Sequence, residues 1–88
     1  MSQRKAYDAR LGAIWHFCTN NGMILGRTRS CGCFYCLKLY KTSEILEWIE
    51  SEGTAVCPHC GIDSVIPDVP LYRLDLPLLE ELHAHFFT

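Results

Sequence analysis

Apolar residues near the start of the chain recur every three or four positions. This spacing places them on one face of a helix, and it predicts a helix over residues 3–21. The members of this stripe are Tyr7, Leu11, Ile14, Trp15 and Cys18. Gly22 follows two asparagines, and we expect it to end the helix in the left-handed conformation that glycine adopts easily.

The middle of the chain changes to short runs of β-branched, aromatic and alternating residues. These runs predict short extended segments rather than long helices. The expected segments are residues 23–25, 37–40, 54–56 and 65–66. One helix is expected among them, over residues 44–52, because Ile45, Trp48 and Ile49 share a helical face and Gly53 follows.

Prolines dominate the segment before the last apolar stripe. Pro67 and Pro70 exclude a helix there, whereas Pro77 suits the first turn of a helix over residues 76–87. The stripe of this helix is Leu78, Leu79, Leu82 and Phe86. The pattern as a whole predicts an α+β fold, with about three helices around a short β-hairpin element.

The 88 residues are expected to form one domain, residues 1–88. A chain of this size buries a small core and commonly needs a metal or disulfides. Neither an apolar signal segment nor a membrane-length apolar run is expected, which predicts a cytoplasmic protein. Because cytosolic thiols stay reduced, its six cysteines point to metal binding before disulfides.

Two Cys-x-x-Cys pairs carry the strongest chemical signal. Cys33 and Cys36 form the first pair, Cys57 and Cys60 the second, and twenty residues separate the pairs. Each pair lets the chain turn so that both sulfurs reach one ion, and this spacing is typical of a four-cysteine zinc site. We therefore expect one structural Zn²⁺ in a zinc-finger-like core over residues 31–66.

Alternatives to zinc remain open at this stage. The four cysteines could serve as small buried apolar residues, or hold an iron–sulfur cluster. A thioredoxin-like redox pair is disfavoured, because that chemistry uses one Cys-x-x-Cys on a βαβ scaffold.

The remaining cysteines and histidines are expected to stay outside the metal site. Cys31 precedes the first pair and is interpreted as a buried or outer-shell thiol, and Cys18 as a core residue. His59 lies inside the second pair and should face solvent. His83 and His85 are two residues apart, so they diverge around a helix and do not form a chelating pair.

No catalytic constellation is evident, and we do not expect an enzyme. A site in which cysteines fill all four tetrahedral positions has no open position for substrate. Zinc deaminases carry a His-x-Glu that this chain lacks. Asp63 and Ser64 follow the second pair and are interpreted as turn residues.

The segments "CGCFYC" (residues 31–36), Glu47-Trp48 and "CPHCGIDSV" (residues 57–65) resemble a family of small bacterial and phage cytoplasmic zinc-binding proteins. These proteins share a Cys-Gly-Cys-Phe-x-Cys element and a Cys-Pro-x-Cys-Gly-Ile-Asp-Ser-Val element. The resemblance covers roughly residues 31–87, and the segment from Pro67 to Pro77 departs from it. It implies zinc binding in the cytosol and no known reaction.

Charge is divided unevenly along the chain. Residues 1–43 carry seven basic residues and one acidic residue, a net charge of +6, whereas residues 44–88 carry one basic and nine acidic residues, a net charge of −8. The halves could attract each other within the fold, or they could form two faces for different partners.

Two functions from different classes follow from these features. The first is a zinc-stabilised protein–protein interaction module, acting as an adaptor, regulator or inhibitor, with a homodimer as an open alternative. The second is a nucleic-acid-binding zinc finger, with Phe34 or Tyr35 stacking on a base. Its phosphate contacts would come from Arg4, Lys5, Arg10, Arg27, Arg29, Lys38 and Lys41.

Overall fold

Two small antiparallel sheets and three helices make up the fold of residues 8–87, the part of the chain that the computed structural model describes. The helices are α1 (Ala9–Trp15), α2 (Gly22–Leu25) and α3 (Leu76–Phe87). The strands are β1 (Ser30–Cys33), β2 (Lys38–Lys41), β3 (Glu47–Ile49), β4 (Thr54–Val56) and β5 (Val65–Pro67). Single 3₁₀ turns occupy His16–Cys18 and Thr42–Glu44. The predicted α+β class is confirmed.

The first helix is shorter than the pattern predicted. Asp8 is extended and caps α1, because its side chain accepts a hydrogen bond from the Leu11 N–H at 3.1 Å. The α-helix ends at Trp15, where the prediction continued to residue 21. Residues 3–7 of the predicted helix, including Tyr7, lie outside the described residues.

The turn after α1 also differs from the prediction. The left-handed residue is Asn20 (φ 50°), and Gly22 instead begins α2, where an extended segment was expected. Gly22 donates a backbone hydrogen bond to the Gly53 carbonyl at 2.9 Å, and a Cβ there would lie 3.2 Å from that oxygen. Close approach to the neighbouring turn therefore accounts for this glycine.

The helix predicted over residues 44–52 is wrong, because this segment is a β-hairpin. β3 pairs with β4, and Trp48 lies opposite Ala55. Gly53 (φ 64°) closes the turn, and its N–H donates to the Ile49 carbonyl at 2.8 Å. Aromatic and β-branched side chains favour a strand, and the ladder to β4 outweighs the helical spacing of the apolar residues.

Strand β1 is the centre of the larger sheet, whose order is β2-β1-β5. Gly32 lies opposite Leu39 of β2 and Ile66 of β5. A Cβ at Gly32 would lie 3.0 Å from Leu39 and 3.2 Å from Leu79 of α3. Helix α3 matches its predicted bounds, and this glycine lets it pack directly on the sheet.

The side chain of Asn21 joins the two sheets. Its amide nitrogen donates to the carbonyls of Val65 in β5 (2.8 Å) and Phe17 (2.9 Å), and its oxygen accepts from the Ala55 N–H in β4 at 3.1 Å. The residue is 1% exposed. Asn21 therefore satisfies backbone groups of both sheets that would otherwise be buried without partners.

The oppositely charged halves of the chain meet at one ion pair among residues 8–87. Arg10 Nη2 lies 2.8 Å from Glu81 Oε2, and both side chains are more than half exposed. An exposed pair of this kind contributes little to stability. The opposite charges of the two halves therefore remain at the surface and are largely not paired with each other among residues 8–87.

None of the described helices is long and apolar enough to cross a membrane.

The role of Asn21 gives a first prediction. Asn21→Ala should lower the free energy of unfolding by about 3 kcal/mol, because it leaves the Ala55 N–H and the Val65 carbonyl buried without partners. Urea titration followed by circular dichroism measures this change.

The neighbouring Asn20 provides the matched control. It is exposed, and its backbone is left-handed, so Asn20→Gly keeps the conformation and should change stability little. Equal losses in the two variants would show that Asn21 does not join the sheets.

Candidate metal centre

The two Cys-x-x-Cys pairs lie at the ends of different sheets. Cys33 is the last residue of β1, and Cys36 lies in the turn that leads to β2. Cys57 directly follows β4, and Cys60 lies in the turn before β5. The larger sheet and the hairpin therefore each contribute one pair of sulfurs to the same cluster.

The four sulfurs fit a tetrahedral metal ion. All four lie within 4.8 Å of one another, with 3.6 Å between the sulfurs of Cys33 and Cys60 and 3.8 Å between those of Cys36 and Cys57. Zinc–sulfur bonds of about 2.3 Å at tetrahedral angles require a sulfur–sulfur separation of about 3.8 Å. All are free cysteines. The predicted ligand set is thus assembled in space and could hold a metal ion.

The two turns use the same hydrogen bonds. In the first, the Tyr35 N–H donates to Cys33 Sγ, and in the second, the His59 N–H donates to Cys57 Sγ, each at 3.4 Å. An N–H aimed at sulfur favours the thiolate, which is the form that binds metal. Both turns therefore prepare their first cysteine as a ligand.

Each turn ends with a left-handed residue just after its second cysteine. Gly61 (φ 80°) takes this place in the second turn, and Leu37 (φ 64°) takes it in the first. The N–H of each residue donates to the carbonyl of the first cysteine, at 2.9 Å for Gly61 and 2.8 Å for Leu37. The left-handed conformation is unfavourable for a residue with a side chain. The surrounding fold therefore must stabilise this turn enough to hold Leu37 in it.

The surroundings act differently on the buried thiols. Burial raises the pKa of Cys33 well above its ordinary value, despite hydrogen bonds from the Cys36 and Tyr35 amides. Burial also opposes ionisation of Cys57, but the Tyr40 hydroxyl and the amides of His59 and Cys60 lower its pKa overall. Cys57 is therefore a favoured thiolate of the set, and a cation is needed to hold all four thiolates together.

Tyr40 is a functional neighbour that the sequence did not reveal. Its hydroxyl is buried and makes no hydrogen bond of normal geometry among the described residues. Burial, followed by the nearby sulfurs of Cys57 and Cys31, raises the pKa of Tyr40 far above its ordinary value. Although it makes no hydrogen bond of normal geometry, the hydroxyl lies near Cys57 and favours the thiolate form of that residue.

The third thiol of the first segment lies beside the site and outside the ligand set. Cys31 is 0% exposed and belongs to the apolar cluster around the ligands, but its sulfur is not among the four. Burial raises the pKa of Cys31 to about 12, so it remains a thiol at neutral pH. Cys18 packs in the separate core under α3, as predicted, and burial raises its pKa to about 12 as well.

His59 and His83 lie beside the cysteine turns, and neither belongs to the sulfur cluster. His59 Nε2 lies 3.0 Å from Glu44 Oε1, and its ring packs edge-on against Tyr40. His83 of α3 contacts the Phe34 carbonyl through Nδ1 at 3.1 Å. The sequence did not reveal this contact, since nothing local in it relates residues 34 and 83.

Phe86 and Phe87, the last two residues of α3, pack against helix α1 and the first Cys-x-x-Cys turn. Phe87 lies 5.0 Å from Tyr35 and 5.7 Å from Phe34, measured between ring centroids, and Phe86 packs against Trp15. Phe34 is 1% exposed and forms part of the core. The prediction that Phe34 could stack on a base is therefore wrong, whereas Tyr35 remains on the surface.

No family model, curated protein or solved structure matches this chain. The resemblance in residues 31–87 to small bacterial and phage zinc-binding proteins therefore remains a prediction.

The separation of ligand and non-ligand cysteines is directly testable, because Cys31 and Cys33 lie on one strand and are equally buried. Cys33→Ala should abolish stoichiometric metal and unfold the domain, since a structural zinc site contributes on the order of 10 kcal/mol. Cys31→Ala should keep the metal and cost roughly 1–3 kcal/mol. Elemental analysis and circular dichroism measure both outcomes, and equal metal loss in the two variants would contradict the assignment.

The influence of Tyr40 predicts a change in the pH dependence of metal binding. The Tyr40 hydroxyl lowers the pKa of Cys57, so Tyr40→Phe raises that pKa and lets protons compete better with the metal. The pH midpoint of metal release should therefore shift upward, with about tenfold weaker affinity at neutral pH. Release of Co²⁺, followed by its visible thiolate absorption, provides the measurement.

Tyr35→Phe is the matched control for this experiment. Tyr35 is exposed, and only its backbone N–H reaches a ligand sulfur, so loss of its hydroxyl should leave the midpoint unchanged. Identical midpoints for Tyr40→Phe and the unaltered chain would refute the influence of Tyr40.

Proposed function

We propose that this chain is a cytoplasmic, zinc-stabilised protein–protein interaction module that acts as an adaptor, regulator or inhibitor of a partner protein. In this proposal the metal has a structural role. Zinc is the ion that best suits four thiolates at tetrahedral spacing, and all six cysteines are free of disulfides.

The observation that carries the proposal is the amount of apolar surface left exposed on so small a domain. Leu46 is 83% exposed, Met23 78% and Leu71 65%. Further exposed apolar side chains are Ile24, Tyr35, Leu39, Trp48, Leu76 and Phe87. Exposed apolar side chains in such numbers favour binding to another protein over an isolated existence.

In this role the metal takes part in no catalytic step. Four cysteine ligands fill a tetrahedral zinc ion, whereas catalytic zinc sites keep one position for water or substrate. The nearby histidines are engaged elsewhere, His59 with Glu44 and His83 with the Phe34 carbonyl.

Nucleic-acid binding is the alternative, and the arrangement of groups supports it less well. Phe34 is buried, which leaves Tyr35 as the stacking residue in that turn. Arg4 and Lys5, which were expected to contact phosphates, lie outside the described residues. A zinc tetrathiolate carries a charge of −2, and the acidic second half of the chain also repels a polyanion.

A reconstituted binding assay tests the proposed function. The tagged chain is crosslinked in its native cells, and proteins recovered with it are identified and purified. We expect one of them to form a saturable complex with the purified, metal-loaded chain, and chelation of the metal should abolish the complex because the module unfolds.

The same preparation is titrated with DNA and RNA at increasing salt. Binding that weakens steeply as salt rises would identify phosphate contacts and favour the alternative. Failure of every recovered protein to bind the purified chain would contradict the interaction module.

A further inference from the structure

The outer edge of the β-hairpin is open. β3 pairs with β4 on one side only, and no third strand among residues 8–87 covers its other side. Asn21 occupies the opposite, inner side of the hairpin through its bond to the Ala55 N–H. The hairpin thus has one side held by the fold and one side facing solvent.

The backbone of Trp48 presents its hydrogen-bonding groups at this open side. Trp48 lies opposite Ala55, and the Ala55 N–H points away from β3 toward Asn21. Opposite residues in an antiparallel pair either bond to each other or both point outward. The N–H and carbonyl of Trp48 therefore point outward, and no other segment of residues 8–87 bonds to them.

Apolar side chains flank these backbone groups. Leu46 is 83% exposed and Trp48 39% exposed, and in an extended chain the two point to the same side. Helix α2 lies beside them, since a Cβ at Gly22 would lie 3.5 Å from the Trp48 ring, and the next residue, Met23, is 78% exposed. The open backbone therefore lies next to apolar contact area.

The charge of this segment is entirely acidic. Glu47 and Glu50 are exposed and form no ion pair within the described part of the chain, and no lysine or arginine occurs between Lys41 and Arg73. Glu44 pairs with His59 and also accepts a hydrogen bond from the Lys41 N–H at 3.4 Å. The unpaired carboxylates disfavour a second copy, because antiparallel pairing of two β3 strands would bring like charges together.

We propose that Leu46, Glu47, Trp48 and Glu50, together termed the β3 edge, bind an extended basic segment of a partner protein as a third strand beside β3. Main-chain hydrogen bonds to Trp48 would supply the pairing, and apolar side chains of the segment would cover Leu46 and Trp48. Its lysines or arginines would meet Glu47 and Glu50. This inference rests on the proposed function and names the surface and the chemistry of the partner.

A peptide probe tests the β3 edge on the full, metal-loaded chain. The probe is a fluorescent peptide of about eight residues that alternates Lys with Val, the length of an ordinary strand. We expect saturable binding by fluorescence anisotropy. The same peptide N-methylated at every residue has no N–H to donate to the ladder and should not bind, nor should a peptide in which Glu replaces Lys.

Charge reversal in the protein provides the second arm. The double variant Glu47→Lys/Glu50→Lys should weaken binding of the peptide by at least about tenfold. Its control is Asp68→Lys/Glu80→Lys, which changes net charge equally at exposed positions away from the hairpin and should bind normally. Equal weakening by both double variants would show nonspecific attraction and overturn the proposal.

A pair of leucine substitutions tests whether binding of the peptide depends on the β3 edge or on exposed apolar side chains in general. Leu46→Ser should weaken binding of the peptide, whereas Leu71→Ser, at a similarly exposed leucine, should not. Circular dichroism confirms that each variant is folded. Peptide binding that survives both N-methylation and Leu46→Ser would exclude strand addition at β3. A dimer of the metal-loaded chain that is lost in Leu46→Ser would show that a second copy covers β3, and it would also overturn the proposed partner.

Failure of the β3 edge as a binding site can be distinguished from failure of the proposed function. A natural partner that binds Glu47→Lys/Glu50→Lys as tightly as the unaltered chain would overturn the β3 edge and leave the interaction module intact. Absence of any protein partner, with salt-sensitive binding of nucleic acid, would overturn the module itself.

Discussion

The structure depends on the meeting of four sulfurs from two distant turns. Cys33 and Cys36 come from the end of the larger sheet, and Cys57 and Cys60 come from the turn that follows the hairpin. A metal ion bound to them would tie these parts together, in a chain of 88 residues whose apolar core is small. Without a cation, mutual repulsion and burial oppose four thiolates at this separation, so the geometry of the fold and the binding of the ion support each other.

Strand β1 separates the core around the four sulfurs from a second, apolar core. Side chains alternate along a strand, so Cys31 and Cys33 face the sulfur cluster while Gly32 faces helix α3. Leu79 packs against the space that Gly32 leaves open. The six residues from Cys31 to Cys36 thus provide two ligands, a buried thiol that packs beside them, and a contact point for the terminal helix. This arrangement explains why the extra cysteine and the glycine occur together.

The hairpin of β3 and β4 is held from one side, and this determines which surface is free. Asn21 bonds to the inner edge of β4, and Gly22 lies against the turn at Gly53. The outer strand β3 therefore keeps open backbone groups, exposed apolar side chains and unpaired carboxylates. A metal bound to Cys57 and Cys60 would lie at the end of this hairpin, so the proposed partner surface and the candidate metal centre are carried by the same element.

The sequence by itself determined the α+β class, the terminal helix over residues 76–87 and the four cysteines that meet in space, because proline placement, helical spacing and paired Cys-x-x-Cys turns are local signals. It did not determine the segment around Trp48, where the apolar spacing fits both a helix and a strand and only the ladder to β4 decides. It also missed Asn21 and Tyr40, whose partners lie far away in the chain. Contacts between distant residues arise from packing, and only the tertiary structure could decide them.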